Sequence, residues 1–186
     1  YLYKEAKVQF TVGNPTEGAL TTLQKLIDDA LEQARISGNP AVVDLTEAVI
    51  YTQGKDNGQI NITGPITING HNLVIDALGL SIIFDIRSEG VILNDILFKG
   101  GNASGVDSTS ADKVNGDAIL WEGANGVINN CKFEDHAGSS TVYVLNSNNF
   151  LVNDTEFKDN NCSPISVSSS NGTIANSTFT DNNGEM

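Results

Sequence analysis

One aromatic position, met four times, constrains this chain more than any other feature. Segments ending at Phe98, Phe133, Phe157 and Phe179 can be laid on one another. Fourteen residues before each lie Phe84, Ile119, Tyr143 and Ile165, and twelve before lie Ile86, Trp121, Leu145 and Val167. Five before lie Leu93, Ile128, Val152 and Ile174, and three before lie Asp95, Asn130, Asp154 and Asn176. The intervals between the phenylalanines are 35, 24 and 22 residues. A period this short with one insertion is an internal repeat.

Within each unit apolar and polar residues alternate over short runs, the period of a strand. Small polar residues such as Ser88, Gly90, Gly123, Gly126, Ser147, Ser169 and Gly172 separate the runs. Such a unit cannot bury its apolar side alone, so copies must stack, at about 4.8 Å per coil. The fold expected is all-β, a parallel β-helix solenoid. The Phe, Ile/Val and Leu/Trp positions become inward ladders, with Tyr143 and Leu145 among them. The Asp/Asn position three before the Phe becomes a polar ladder at a turn, where those side chains satisfy backbone groups.

The chain of 186 residues suits one domain, residues 1–186. Its charge is −13, with 22 Asn and 18 Gly. A surface this acidic argues against nucleic acid, which needs a basic footprint. No 18-residue apolar run is present to span a membrane as a helix. Two cysteines are too few for a disulfide scaffold. Cys131 shares the parity of Phe133 and should point inward, while Cys162 follows Phe157 in a turn.

Residues 1–40 form an N-terminal strand and a capping helix, and 41–186 form the coils. VQFTV at 8–12 reads as the strand. From about Thr16 to Ile36, Leu20, Leu23, Leu26, Ile27, Ala30, Leu31 and Ala34 make one apolar stripe, an amphipathic helix. Thr16, Thr21 or Thr22 caps its start, and Gly38, Asn39 and Pro40 end it. Its role is to cover the open end of the apolar column. Ile66, Ile68, Ile75 and Leu80 precede Phe84, Ile86, Leu93 and Phe98 by 18 residues, which implies a shorter coil. Residues 41–63 supply at least one more.

The insertion after Phe98, GGNASGVDSTSADKVNGD at 100–117, reads as a polar loop thrown out from one corner. Loops on rigid scaffolds are where function concentrates. Asn102, Ser104, Asp107, Asp112 and Asp117 are therefore the partner-binding candidates. Their spacing matches no calcium loop, and no metal or cofactor is expected. Six Asn-X-Ser/Thr sequons occur, at Asn61, Asn102, Asn153, Asn161, Asn171 and Asn176. Asn102 is the leading glycosylation candidate, with Asn61 and Asn161 beside it.

FKDN (157–160) and FTDN (179–182) resemble the first half of an FxxN/GGA[ILV] repeat, and GDAIL (116–120) resembles its second half, with Asp117 in place of a glycine. LQKLIDDA in the helix, then ITINGHNLVIDALG, IFDI, LNDILFKGGNA, DAILW and VINNCKF, follow in an order similar to the adhesin-like right-handed parallel β-helix proteins of methanogenic archaea. Chlamydial polymorphic membrane proteins carry related repeats. The resemblance spans roughly residues 17–184. It implies a secreted cell-surface protein, often much longer than this chain, that attaches to other cells or to a surface glycan or protein. GGA motifs are degenerate in the last two coils.

β-Helices also carry polysaccharide lyases and glycoside hydrolases, so the fold does not decide the function. Lyase chemistry needs an Arg or Lys base beside clustered carboxylates, and the two arginines, Arg35 and Arg87, lack that setting. Glycoside hydrolysis needs two facing carboxylates. Glu122, Glu134, Asp135, Asp154, Glu156, Asp159 and Asp181 qualify by type. Asp135, Asp159 and Asp181 all stand two after the Phe, which makes them an outer ladder. His71 and His136 sit in turns without a nucleophile arrangement. The expectation is a non-catalytic attachment module; the alternatives are a carbohydrate-active β-helix and a purely structural stalk. Trp121, in the inward ladder, should be buried. TDNNGEM after Phe179 offers no cap, so the chain is expected to be the N-terminal part of a longer protein, or to pair end to end with another copy.

Overall fold

The computed structural model describes residues 16–109 and 116–184. The strand expected at 8–12, and Asp112, lie outside the described residues. After one helix, α1 (Ala19–Ser37), the chain winds through six coils. The first two hold β1 (Ala41–Asp44) and β2 (Val49–Ile50), then β3 (Ile60–Ile62) and β4 (Ile66–Asp76). The third holds β5 (Phe84–Ile86) and β6 (Ile92–Lys99), the fourth β7 (Ile119–Trp121), β8 (Val127–Asn129) and β9 (Lys132–Glu134). The last two hold β10 (Ala137–Leu145), β11 (Phe150–Asn153) and β12 (Glu156–Lys158), then β13 (Asn161–Ser168), β14 (Gly172–Ala175) and β15 (Thr178–Thr180).

Every strand pair is parallel and joins one coil to the next. Three walls result. Wall one stacks β3, β5, β7, β10 and β13. Wall two stacks β1, the first halves of β4 and β6, then β8, β11 and β14. Wall three stacks β2, the second halves of β4 and β6, then β9, β12 and β15. The phenylalanine ladder runs down the inside of wall three. Phe98, Phe133, Phe157 and Phe179 stack nearly face to face, with centroids 4.8, 4.7 and 5.1 Å apart. That spacing is imposed by strand pairing, so ring contact comes with register at no further ordering cost.

Asp95, Asn130, Asp154 and Asn176 turn the corner between walls two and three, each with φ between 48° and 55°. Asp135, Asp159 and Asp181 turn the next corner, with φ of 53–57°. Asn and Asp tolerate this left-handed conformation better than other residues with a Cβ, because the short polar side chain bonds locally. The acidic ladder two after the Phe is thus a set of turn formers.

Two register expectations are corrected. Val142 and Val144, not Tyr143 and Leu145, pair with Ile119 and Trp121 and point inward. Counted back from Phe157, one extra residue lies in the turn between Leu145 and Phe150, which pair with Ser168 and Gly172, and a one-residue slip exchanges the faces of a strand. The second coil is also not short. Ile60 and Ile62 pair with Phe84 and Ile86, Ile68 with Leu93, and Ile75 with Phe98. The spacing is therefore 23–25 residues, and QINIT is the first wall of that coil. Ile66 and Ile68 imitate the Phe84/Ile86 pair in the wrong wall.

Helix α1 lays Leu20, Leu23 and Ile27 on the first coil. No side chain of the helix caps its start, contrary to the threonine caps expected. Asp56 does so from the neighbouring turn: Oδ1 accepts from Thr21 N (2.8 Å) and Thr21 Oγ1 (2.9 Å). A carboxylate there also complements the helix dipole. Gly18 is required, since a Cβ would stand 2.0 Å from Asp56 Oδ1. Gly38, at φ 75°, ends the helix as expected. The Gln24 carboxamide accepts from Asn61 N (2.7 Å) and donates to Asn61 O (2.9 Å), so it closes the free edge of β3 as a partner strand would. At the other end, Val167, Ile174 and Phe179 are 57%, 51% and 37% exposed, so their side of the apolar column is open.

Candidate functional site

The described part of the inserted loop, residues 101–109, folds back on wall one. Ile119, Leu120 and Trp121 are consecutive apolar residues, and a strand of that kind needs cover on both faces. Trp121 points inward and meets Phe150 edge to face. Leu120 points outward, where Ile82 and Ala103 bury it with Tyr143 alongside. Asn102 N and Asp107 N donate to Ser81 O and Leu80 O, both at 2.9 Å. Tyr51 Oη donates to Asp107 Oδ2 (2.8 Å), and burial with that carboxylate pushes the phenol up to about 12. Gln59 Oε1 accepts from Thr109 N and Oγ1, both at 3.0 Å.

The root of the loop is gripped by two buried titratable groups. Gly101 N donates to His136 Nδ1 (2.8 Å), and His136 Nε2 reaches Phe98 O (3.1 Å). The neutral tautomer with Nε2–H fits both contacts. His136 stands three after Phe133, where Asn160 and Asn182 stand after their phenylalanines, and each of these also donates to a Phe carbonyl one coil back, Phe133 and Phe157. His136 is therefore a variant of the FxxN asparagine. Burial pulls its imidazole down to about 4, against the pull of the Phe98 carbonyl.

Ala103 N donates to Asp117 Oδ1 at 3.0 Å. Asp117 Oδ2, beside the Cys162 thiol, makes no hydrogen bond of normal geometry. Burial pushes this carboxyl up to about 6. Gly138 makes room for it, with φ 147° and a position where a Cβ would stand 2.0 Å from Oδ1. Asp117 is fully buried, so it leaves the set of residues a partner can touch and becomes the anchor of the loop.

The other candidates separate. Ser104 is exposed, Asn102 and Asp107 are half-buried, and Asp107 is committed to Tyr51. Asn102 Oδ1 accepts from Ser104 N (2.9 Å), a turn made within its own sequon. Asn61 and Asn161 are exposed. Val106, one residue before the anchored Asp107, is 83% exposed, which the sequence reading missed. Its signal was an apolar residue amid Ser, Gly and Asp.

Four of the carboxylates considered for catalysis are paired with a cation. Asp135 meets Lys99 at 3.0 Å, Glu156 meets Lys132 at 3.6 Å and Asp159 meets Lys158 at 3.5 Å. Glu122 lies beside Arg87, which also holds Asp85, and Arg35 lies beside Glu32. Among the described residues no three His, Cys, Asp or Glu side chains converge as a metal set would. No helix among them is long and apolar enough to cross a membrane, which says nothing of a β-barrel. Cys131 and Cys162 are both buried, and burial pushes each thiol up to about 12.

Wall two carries a second feature absent from the sequence reading. Asn69, Asn94, Asn129, Asn153 and Asn176 each donate Nδ2 to the side-chain oxygen one coil back, in a line that ends on Asp44. Asn94, Asn129 and Asn153 recur four before the Phe, one place from the corner ladder that drew attention instead. Beside them on the same outer face runs a row of Val42, Thr67, Ile92, Val127, Leu151 and Thr173.

Six parallel coils closed on three walls, with one helix over the first, define a β-solenoid. Residues 84–185, more than half of the chain, match the family model of the right handed beta helix region, and the chain belongs to that family. No curated protein and no solved structure matches it.

Proposed function

We propose that this chain is a secreted, cell-surface attachment module without catalytic function, and that the inserted loop is its contact point. One observation carries the reading: within the single large break in the repeat, residues 101–109 are held against wall one and present an exposed apolar side chain. Ala103 and Leu120 fix this stretch from below, His136 and Asp117 hold its root, and Val106 stands 83% exposed. A rigid loop loses little entropy on binding, and an exposed apolar side chain on it serves as an anchor. The similarity to adhesin-like β-helix proteins supports the same reading. The partner is a protein or glycan on another cell.

The test uses the purified chain on beads, offered to candidate partner cells. Val106→Asp, which touches no buried contact, should lower bead capture about tenfold, equivalent to 1.4 kcal/mol. Equal capture by wild type and variant would remove Val106 from the function. Turnover of pectin or another polysaccharide by the wild type, lost on changing Asp135, Asp159 or Asp181, would replace attachment with catalysis.

A further inference from the structure

Between β4 and β5 the chain makes a tight turn at the corner where wall three passes into wall one. Leu80 N donates to Ala77 O (2.9 Å), and the two residues between them, Leu78 and Gly79, have φ of 52° and 73°. A four-residue turn with both central residues in the left-handed region is the kind for which Asn-Gly is a preferred pair. Gly79 meets that requirement and Leu78 does not. A Cβ in this region crowds the following carbonyl oxygen, and a leucine has no polar group with which to bond locally. Every other described non-glycine residue with positive φ is Asn, Asp, His or Ser. Packing returns little to Leu78, which is 53% exposed. A strained apolar residue held at the surface points to a use outside the fold.

The inserted loop leaves and returns on either side of this turn. Gly79 N donates to Gly100 O (2.6 Å), and a Cβ on Gly100 would stand 3.0 Å from Leu78 N. A Cβ on Gly105 would stand 2.3 Å from Leu80 O, and the same oxygen accepts from Asp107 N. Between Gly105 and Asp107 stands Val106, 83% exposed. Leu78 and Val106 therefore flank Leu80 at one corner. Asp76 Oδ1 accepts from Leu78 N (2.8 Å), and Asp107 is held by Tyr51, which sets two carboxylates beside the aliphatic pair.

We propose, on the attachment reading above, that Leu78 and Val106 together form the contact point for a protein on the partner cell, one that offers an apolar pocket bordered by Lys or Arg. Both side chains stand on backbone already fixed by hydrogen bonds, so little ordering is left to pay for on contact. The two carboxylates, on a chain of net charge −13, favour cations around the pocket and steer them to it. A glycan fits less well, because sugar rings pack on aromatic faces and this pair is aliphatic. An anionic lipid surface or a second copy would meet the same net charge of −13 with its own like charge.

The experiment repeats the bead capture of candidate partner cells with Leu78→Asn and measures the urea midpoint of the same variant. Asparagine suits the first central position of this turn, so the variant should unfold at higher urea than the wild type and yet lower capture about tenfold. A residue serving the fold alone would not move stability and capture in opposite directions. Leu78→Gly, which also relieves the turn, gives the same two readings should the asparagine variant misfold. Wild-type capture should weaken from about 0.1 M to about 1 M salt, as the screening length shrinks from about 10 Å to about 3 Å. It should be lost on cells stripped of surface protein by protease. The proposal is overturned if Leu78→Asn captures like the wild type while Val106→Asp does not, a result that leaves attachment through the loop standing. It is overturned equally if both Leu78 variants unfold at lower urea, if stripped cells are still captured, if salt has no effect, or if light scattering finds a dimer that Leu78→Asn dissolves. No capture of any cell by the wild type overturns the attachment reading and this contact with it.

Discussion

His136 and Asp117 titrate in opposite senses around one loop root, and substituting either alone should expose a pH dependence that the native pair conceals. The folded chain keeps His136 neutral down to about pH 4, while the unfolded chain protonates it below its ordinary 6.5. Its contribution is full above 6.5 and is lost as the pH falls toward 4. At 1.36 kcal/mol per pKa unit the loss is about 3 kcal/mol. Asp117 runs the other way. Its folded value of about 6 lies above the ordinary 3.8, so the folded state takes up the proton first. Stability from this group is greatest below 3.8 and declines as the pH rises through 6, again by about 3 kcal/mol. At pH 5 each state holds one proton, the folded chain on Asp117 and the unfolded chain on His136, and the two slopes cancel.

Asp117→Asn removes one arm, so stability relative to wild type should fall by about 3 kcal/mol between pH 6.5 and 4. His136→Asn restores the residue found at Asn160 and Asn182, and relative stability should fall by about 3 kcal/mol as the pH rises from 4 to 6. Urea unfolding at half-unit pH steps measures this, with buried Trp121 as the fluorescent reporter. The difference between variant and wild type cancels the remaining carboxylates. Both variants following the wild type to within about 1 kcal/mol, or both sloping the same way, would refute the reasoning.

Phe133→Ala, in the middle of the ring stack, should cost about 3–5 kcal/mol by calorimetry, and Phe179→Ala, 37% exposed at its end, no more than about 1–2. Gln24→Ala should cost about 1–2 kcal/mol and speed hydrogen exchange at the Asn61 amide, because the edge of β3 loses its cover. Cys131 and Cys162 should stay unmodified by iodoacetamide at pH 8 in the folded chain and react in denaturant, as mass spectrometry would read; modification of either before unfolding would contradict their burial and raised thiols.

The wall-three ladder was legible because stacking forces identical residues to recur, and Phe is conspicuous. The corner residues were legible for the same reason, as was the helix over the first coil. The slip at β10 was not, because the extra residue in the turn between Leu145 and Phe150 leaves the apolar alternation of Val142 and Val144 intact and only moves it by one relative to Phe157. The second coil misled because Ile66 and Ile68 copy the spacing of Phe84 and Ile86. Of the candidate site, the loop was found from its length, but not its inward half. Asp117 was read as a surface acid, since a buried carboxylate is rare, although the apolar run that follows it announces cover on both faces. The asparagine ladder was hidden by abundance, because 22 asparagines leave any one row inconspicuous.

The backbone hydrogen bonds of the coils point along the solenoid axis, from each turn to the next. A pulling force applied between the two chain ends therefore does not load them together, as it would in a sheet sheared along its strands. It opens them coil by coil from whichever end yields first. The end beyond β15 has its apolar ladder exposed, while the other is bolted by α1 through Gln24 and Asp56. Of the two ends of the described coils, the one at β15 should yield first, and a released coil of 24 residues, such as that from Phe133 to Phe157, pays out about 80 Å of chain. Under tension the molecule would behave as a ratcheted tether, giving ground one coil at a time rather than failing at once.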